Sequence, residues 1–322
     1  MASFFTTTHL RTATVNMYDS YLHRWLHLIP FIEVIILLPK QSIKILMRHL
    51  LLRQRTEHKH GLTHTNICHF IGAVLAVLRY SHHVAPTLPD RDRHYRIWMD
   101  LQTHCKEKYN NRRLLLMPTE KQAARGGAAL TFQDLIHARD SGRLNTQQTL
   151  LLSMYTHLYP VRADYYATQI VHGNETPIAP NYIRIHSHHH AELMLTNFKT
   201  ATEYKQIHYP TIPIPLLRII LQSLQESPRT FLFESARHTP LTRNRYSQMA
   251  SHTLQHIFGV PLNLTMIRHI FISTLSMDTP LIELKKIGEL MGHSLTQQRL
   301  YQWKHLHNQK DDDDPTITRT IS

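Results

Sequence analysis

The chain has 322 residues, of which 42% are apolar, so it can bury a large core and is not a wholly disordered protein. Its 36 Lys and Arg residues against 23 Asp and Glu residues give a net charge of +13, which predicts a polyanionic partner, either nucleic acid or an anionic membrane surface. The most apolar run, residues 29–38, spans about half the length that a bilayer requires. We therefore expect neither a signal peptide nor a membrane-spanning segment, and nucleic acid is the favoured partner.

The first part of the chain is predicted to be a small helical unit over residues 40–118. Apolar residues recur with helical spacing in 42–54 and in 63–81, and 96–113 is a third candidate helix that ends in a basic cluster. Residues 1–39 show no clear pattern, so whether they fold is left open. Residues 119–130 contain a Gly-Gly pair among small side chains and are predicted to be a linker.

Residues 131–308 are predicted to form a second domain of mixed structure. Thr131 is expected to be the N-cap of a helix with Asp134 in its first turn, and a second helix, 145–160, is expected to stop at Pro160. Alternating apolar residues between 181 and 215 predict a small antiparallel sheet with a polar turn near Lys199. Helical patterns then continue over the remainder of this domain.

The last two predicted helices are joined by a Gly-His-Ser hinge. Thr279 and Pro280 are expected at the N-cap and first position of one helix, and Gly292 just beyond its C-terminus. Ser294 and Gln297 have the spacing of a capping box that begins the next helix. The hinge therefore follows from local signals that stop one helix and start another.

Five separated side chains have the chemistry of phosphoryl transfer. They are Arg162 after the helix that ends at Pro160, Lys199 in the polar turn, Arg268 in the first turn of an apolar helix, His293 on the hinge and Tyr301 eight residues later. A phenol oxygen can act as a displaceable nucleophile, and arginines can neutralise the charge on non-bridging phosphate oxygens. A lysine with a lowered pKa can protonate a leaving oxygen.

The order and spacing of these residues resemble the tyrosine recombinases, or phage-type integrases. The segments that carry the resemblance are LYPVRADYY, LTNFKTATEYK, NLTMIRHIF and MGHSLTQQRLY, within residues 130–308. The family's pattern has an Arg after a helix, a Lys in a β-hairpin, a His-x-x-Arg, a Gly-His-x and a Tyr eight or nine residues later. The R-x-D-Y and F-K-T-A sequences look most like integrases of eukaryotic mobile elements and large DNA viruses.

The resemblance implies a mainly α fold with a small antiparallel β-sheet, built from an N-terminal helical core-binding domain and an α+β catalytic domain. It implies site-specific cleavage and rejoining of double-stranded DNA through a 3′-phosphotyrosyl intermediate, by a homotetramer on two DNA sites, with no metal and no other cofactor. The two cysteines, Cys68 and Cys105, form no disulfide framework, which favours a reducing intracellular compartment. The nucleus, or another site of viral or mobile-element DNA, is the expected location.

One position departs from the family's pattern, and two others leave alternatives open. Thr265 stands where the family has the His of His-x-x-Arg, and threonine cannot act as an acid or base near neutral pH. His269 is adjacent to the key arginine but is expected on another side of the helix. Lys205 competes with Lys199 as the general acid. Asp164 is expected to orient Arg162.

Two further segments, one rich in histidine and one acidic, have no role in the predicted catalytic site. HSHHH, residues 186–190, is interpreted as a basic turn facing DNA and not as a zinc site, because ligands so close together cannot all reach one tetrahedral centre. Residues 309–322 are predicted to be an acidic, disordered tail.

The alternative functions are a type IB topoisomerase-like enzyme that relaxes DNA, and a decayed recombinase that still binds DNA.

Overall fold

The structure is a computed structural model that describes residues 10, 12–56, 64–81, 84, 86, 88–114, 129–276 and 278–302. The chain divides into two compact units, Met1–Leu115 and Leu116–Ser322. The predicted linker falls outside the described residues except for its last two positions, and the predicted acidic tail falls wholly outside them. None of the described helices combines the length and the apolar character needed to cross a bilayer.

The N-terminal unit is helical throughout its described part. Its helices are α1 (Thr12–Leu28), α2 (Ile32–Leu37), α3 (Pro39–Thr56), α4 (His64–Tyr80) and α5 (Arg91–Leu114). Residues 70–78 of α4 are all buried, because this helix is apolar around almost its whole circumference and α1 and α5 pack against it. The three helices predicted in this part of the chain are confirmed, and the third begins earlier than predicted.

Part of the segment that sequence patterns left open belongs to this helical core. Trp25 of α1 is fully buried, and its indole N–H donates to the carbonyl oxygen of Phe70 at 3.1 Å. Trp98 of α5 is also fully buried, and its indole N–H donates to the carbonyl oxygen of Ile36 at 3.1 Å. Each tryptophan thus buries its large ring without leaving an unpaired donor, and together they fasten α1 and α5 to their neighbours.

The C-terminal unit is mainly helical with one small sheet, as predicted. Its elements in chain order are α6 (Phe132–Asp140), α7 (Thr146–Thr156), β1 (Gln169–His172), β2 (Asn181–Ser187), β3 (His190–Leu195), α8 (Ala201–Tyr204), β4 (Ile207–Tyr209), α9 (Ile214–Glu226), α10 (Arg243–Phe258), α11 (Leu264–Ser273), α12 (Leu281–Leu290) and α13 (Leu295–Tyr301).

The sheet has the strand order β1-β2-β3-β4. The antiparallel set β2-β3-β4 is the one predicted, with Ile183 opposite Leu193 and Leu195 opposite Ile207. Alternate residues of β2 and β3 are buried against the helices, as expected for a sheet with one face in the core. Strand β1 was not predicted, and it pairs in parallel with β2.

Local signals placed the start of the first two helices of this unit correctly. Thr131 caps α6, and it forms a reciprocal capping box with Asp134. Asn145 caps α7. However, α7 ends at Thr156 and not at Pro160. The backbone N–H of Tyr159 donates to the Tyr209 hydroxyl at 3.2 Å in place of a helical carbonyl, and Pro160 disfavours helical geometry in that residue.

The Gly-His-Ser hinge is present with two adjustments. Pro280, and not Thr279, is the N-cap of α12, since its carbonyl oxygen accepts the helix's first N–H bonds. Gly292 has φ +64°, the left-handed conformation predicted for a residue just past a helix. The Ser294 side chain accepts from the backbone N–H of Gln297, but the reciprocal bond of a full capping box is missing between these two residues.

Candidate active site

Arg268 is the most deeply buried of the predicted site residues. Because α11 begins at Leu264, Arg268 lies in its second turn and not in its first as predicted, so the influence of the helix N-terminus has largely decayed there. One terminal nitrogen, Nη1, donates to the carbonyl oxygens of Pro160 and Met291, both at 2.9 Å. These bonds tie α11 to the end of the α7 loop and to the hinge.

The remaining nitrogens of Arg268 are buried without a partner. The side chain is 0% exposed, and neither Nε nor Nη2 has a hydrogen-bond partner. Burial lowers the pKa of the guanidinium to about 10, so it stays protonated at neutral pH. A buried cation with two unused donors is costly unless an anion or another acceptor can reach it.

Arg162 reaches the same hinge from the loop that follows α7. Its Nη1 donates to the carbonyl oxygen of Gly292 at 3.2 Å. Its backbone N–H donates to Asp164, whose other carboxylate oxygen accepts from Arg243. Asp164 therefore holds the main chain of Arg162 and not its guanidinium, which refines the predicted orienting role. Since Arg268 bonds to Met291, the two guanidinium groups are anchored on consecutive carbonyls.

The β3–β4 connection carries Lys199 to this hinge. Thr200 donates its hydroxyl to the carbonyl oxygen of Gly292 at 2.7 Å, and a Cβ placed on Gly292 would come within 3.3 Å of the Phe198 ring. Lys199 lies between these two contacts with an exposed side chain. The alternative, Lys205, is exposed at the end of α8, where φ is +58°. The chain contacts on both sides of Lys199 favour Lys199 as the lysine nearer the site.

His293 faces the interior directly after the hinge glycine. It is 3% exposed, and neither ring nitrogen has a hydrogen-bond partner. Burial, together with the charges of Arg268 and Arg162, lowers the pKa of His293 to about 3. The imidazole is therefore neutral at physiological pH, with one N–H to donate and one lone pair to accept.

Tyr301 ends α13 and lies among these groups. The Arg268 Cζ atom is 5.1 Å from the centre of its ring, and the ring centre of His293 is 5.7 Å away. Burial alone would raise the pKa of the Tyr301 phenol, but the nearby charges of Arg268 and Arg162 outweigh it and lower the pKa below its ordinary value. The phenolate is thus more accessible here than for an ordinary tyrosine.

His269 also contacts Tyr301, although sequence reasoning placed it on another side of α11. Its Nδ1 lies 2.7 Å from the backbone carbonyl oxygen of Tyr301, and the two ring centres are 4.6 Å apart in an edge-to-face arrangement. Thr265, which stands at the family's histidine position, is exposed. Helical spacing alone does not reveal the contact of His269, because it depends on where α13 docks against α11.

Gln298 is a second residue that the sequence did not single out. It is 4% exposed, and both atoms of its side-chain amide lack a partner. It precedes Tyr301 by one helical turn, so the two side chains share a face of α13. This spacing was the available signal, but it does not distinguish a site residue from an ordinary buried amide.

The histidine-rich segment forms the end of the β2–β3 hairpin. The rings of His186 and His190 stack with centres 4.6 Å apart, and His208 on β4 lies 3.4 Å from a carboxylate oxygen of Glu192. Across the described ranges, no group of three or more His, Cys, Asp or Glu side chains is arranged to hold a metal ion. Contact of this hairpin with DNA stays a prediction.

The arrangement as a whole is suited to one oxyanion next to a phenol. Two arginines anchored on adjacent carbonyls, a neutral histidine and a phenol of lowered pKa converge on the hinge between α12 and α13. Their unpaired donors belong to Arg268 and His293. A tetrahedral anion with several oxygens would satisfy these donors simultaneously, as preorganised donors do in sites that stabilise developing negative charge.

Comparison with known proteins finds a likeness in structure but not in sequence. No protein-family model matches the sequence, and no curated protein matches it significantly. Among solved structures, the chain is similar to the crystal structure of XerA recombinase, with a TM-score of 0.39 and 14% sequence identity, over 97% of this chain and 95% of that chain. A likeness at this level does not decide function.

Proposed function

We propose that this protein cleaves and rejoins DNA strands through a covalent bond between Tyr301 and a 3′-phosphate, as a site-specific recombinase or integrase. The observation that carries the proposal is the buried, protonated Arg268 next to the Tyr301 ring, with two donors that make no hydrogen bond of ordinary geometry to the protein. Arg162 adds a second cation on the adjacent hinge carbonyl. A phosphodiester brings the negative charge and the oxygens that these groups require.

In the proposed reaction, the Tyr301 oxygen attacks the scissile phosphorus and the bond from phosphorus to the 5′ oxygen breaks. The Tyr301 phenol, once uncovered, releases its proton to solvent, and the departing 5′ oxygen gains one from Lys199. Arg162, Arg268 and His293 hold the non-bridging oxygens as charge develops on them. Rejoining is the reverse, with a 5′-hydroxyl attacking the phosphotyrosyl bond. The bond energy is conserved in the covalent link, so no external energy source is required.

The protonation states support these roles. His293, with its pKa near 3, acts as a neutral hydrogen-bond donor and not as a cation. The lowered pKa of Tyr301 eases formation of the attacking phenolate. Thr265 is exposed and does not ionise, so it supplies no proton transfer.

Access to the phenol is restricted in the conformation described here. Tyr301 is 9% exposed and belongs to a buried cluster with Ile272, Ile287 and Met291. A DNA phosphate cannot reach the phenol oxygen in line without a local change. We therefore propose that the hinge and the first turn of α13 shift when DNA binds, while the contact of Tyr301 with His269 holds the end of the helix, which would uncover the phenol beside the two arginines.

The proposed partner is double-stranded DNA. The net charge of +13 favours attraction to a polyanion, and binding should weaken steeply with added salt as counterions are released. Exchange of strands between two sites would require four copies of the chain, one for each strand cleaved. Such a reaction would take place where the DNA of the host, or of a virus or mobile element, is found.

Covalent trapping tests the proposal. The substrate is a pool of nicked duplexes with randomised sequence around the nick, in which cleavage releases a short fragment and prevents rejoining. We expect the wild-type protein to form a detergent-resistant complex with DNA, and Tyr301→Phe to form none while retaining DNA affinity. Tyr182→Phe is the matched control, because Tyr182 lies on β2 against Arg184 and outside the site.

The same experiment separates the alternative functions. If the wild-type protein forms no covalent complex under any condition that supports DNA binding, it is a DNA-binding protein without this activity. If it forms complexes without sequence preference and relaxes supercoiled plasmid as a monomer, a type IB topoisomerase-like activity replaces the recombinase. Enrichment of a defined sequence in the trapped pool, with several protomers per duplex pair, supports recombination.

A further inference from the structure

The contact between His269 and the backbone of Tyr301 has a defined hydrogen-bond direction. A carbonyl oxygen can only accept, so at 2.7 Å the His269 Nδ1 must carry the proton and donate it. The edge-to-face contact between the two rings, with centres 4.6 Å apart, accompanies this bond. Two independent contacts therefore join the second turn of α11 to the last residue of α13.

The carbonyl of Tyr301 needs such a donor for a structural reason. The last four carbonyls of a helix have no partner within the helix, and Tyr301 is the final residue of α13. Side chains of basic residues can satisfy these carbonyls, here from a different helix. A helix of seven residues is also too short to be stable in isolation, so its position depends on contacts with its neighbours.

We propose that His269 is a positioning residue for the nucleophile: it fixes the end of α13 and so holds the Tyr301 phenol between Arg268 and His293. The proposal rests on the proposed function, because it assigns the role within that same site. His269 is not the proton acceptor in this scheme, since the nitrogen that reaches Tyr301 is a donor to the main chain. His269 is adjacent to Arg268, so a single turn of α11 determines the positions of both the cation and the nucleophile.

Two variants separate the donor from the ring. His269→Asn keeps an N–H donor close to the position of Nδ1 but removes the ring, and His269→Phe keeps a ring but removes the donor. With the trapping substrate at saturating concentration, we expect His269→Phe to form the covalent complex about 100-fold more slowly, the effect of a displacement of about 1 Å. His269→Asn should stay within about threefold of wild type, and both should bind DNA as wild type does.

A second readout does not require cleavage. In protein labelled with ¹³C at the tyrosine Cζ atom, the Tyr301 signal is identified by its loss in Tyr301→Phe, and its titration reports the phenol pKa. His269→Phe should raise that pKa toward the ordinary value, because the phenol leaves the two arginines, and His269→Asn should not. The thermal unfolding midpoint of each variant shows whether the fold is retained.

The outcomes are distinguishable from those of the proposed function. His269 has no positioning role if the phenylalanine variant matches wild type in both the trapping rate and the Tyr301 titration, or if the asparagine variant is as impaired as the phenylalanine variant. If the wild-type protein forms no covalent complex, the proposed function fails, and the titration alone still decides whether His269 sets the environment of Tyr301.

Discussion

The Arg268 guanidinium lies 5.1 Å from the ring centre of Tyr301 and is shielded completely from solvent. Each group changes the other's protonation: the cation favours the phenolate, and the phenolate would favour the cation. The pKa of the Tyr301 phenol depends on both burial and charge, because burial raises it while the arginines lower it. The pair is the physical basis on which Tyr301 is assigned as a nucleophile.

Replacement of Arg268 should separate stability from activity. In Arg268→Met the buried charge disappears, which offsets the loss of its bonds to two carbonyls, so we expect the free energy of unfolding to change by less than about 2 kcal/mol. The rate of covalent trapping should fall by about 100- to 1000-fold, because a preorganised donor to the phosphate is lost. Urea unfolding and the trapping assay measure the two effects. A variant with an unchanged trapping rate would exclude Arg268 from the reaction.

His293 should make the protein less stable as the pH falls below about 6.5. The unfolded chain takes up a proton at His293 near the ordinary histidine pKa of about 6.5, whereas the folded chain does so only near pH 3. Between these values the unfolded state binds more protons, so stability decreases with decreasing pH, by at most about 1.4 kcal/mol per pH unit from this group. Urea unfolding of wild type and His293→Gln from pH 4.5 to 7.5 gives the contribution by difference. Parallel curves would show that His293 is not buried in its neutral form.

Two helical glycines should respond in opposite ways to an added methyl group. In Gly288→Ala of α12, the new Cβ would lie 2.8 Å from the carbonyl oxygen of His293 and 3.2 Å from the Gln298 side chain, so the hinge must move. We expect a loss of about 1–3 kcal/mol of stability and slower trapping. Gly72→Ala of α4 is the control, because its Cβ would make only ordinary contacts at 3.5 Å with Gln102 and Tyr18.

In that control, the higher helix propensity of alanine should stabilise the N-terminal unit by about 0.5–1 kcal/mol. Scanning calorimetry resolves the two units if their transitions differ, and it measures the shift in each. Equal effects of the two substitutions would contradict the close packing of Gly288 against the hinge.

Lys199 can be distinguished from Lys205 by the leaving group that it protonates. Lys199→Ala should slow cleavage of ordinary DNA by about 100-fold or more, the usual contribution of a general acid, whereas Lys205→Ala should have little effect. In a substrate with sulfur in place of the 5′ bridging oxygen, the 5′ thiolate departs without needing a proton. This substrate should therefore restore the cleavage rate of Lys199→Ala. If sulfur restores the Lys205 variant instead, the two assignments exchange. If it restores neither, proton donation comes from another group.

Much of the C-terminal unit could be predicted because its signals are local. The cap at Thr131, the alternating residues of β2 and β3 and the left-handed Gly292 each depend on a few neighbouring residues. The four-residue strand β1 escaped prediction because its parallel pairing with β2 is not encoded within β1 itself. The early end of α7 was missed because Pro160 sets only the last point at which the helix could end, and the helix ends before it, at Thr156.

In the candidate site too, local sequence signals identified some residues, while others depend on tertiary packing. The spacing of Arg268, His293 and Tyr301 identified these side chains, and the structure brings them together. The contact of His269 and the burial of Gln298 could not be predicted, because both depend on the packing of α13 against α11 and α12. Sequence spacing gives the face of a helix, and tertiary packing decides what that face meets.

The most direct measurement is the location of the DNA on the protein after trapping. The covalent complex is digested with nuclease and protease, and peptide mass spectrometry finds the residue that carries the remaining phosphonucleotide. We predict a single modification on Tyr301, through its phenol oxygen and a 3′-phosphate, and its absence in Tyr301→Phe. A nucleotide attached to any other residue, or a protein that binds DNA yet never carries one, would contradict the assignment of Tyr301 as the nucleophile.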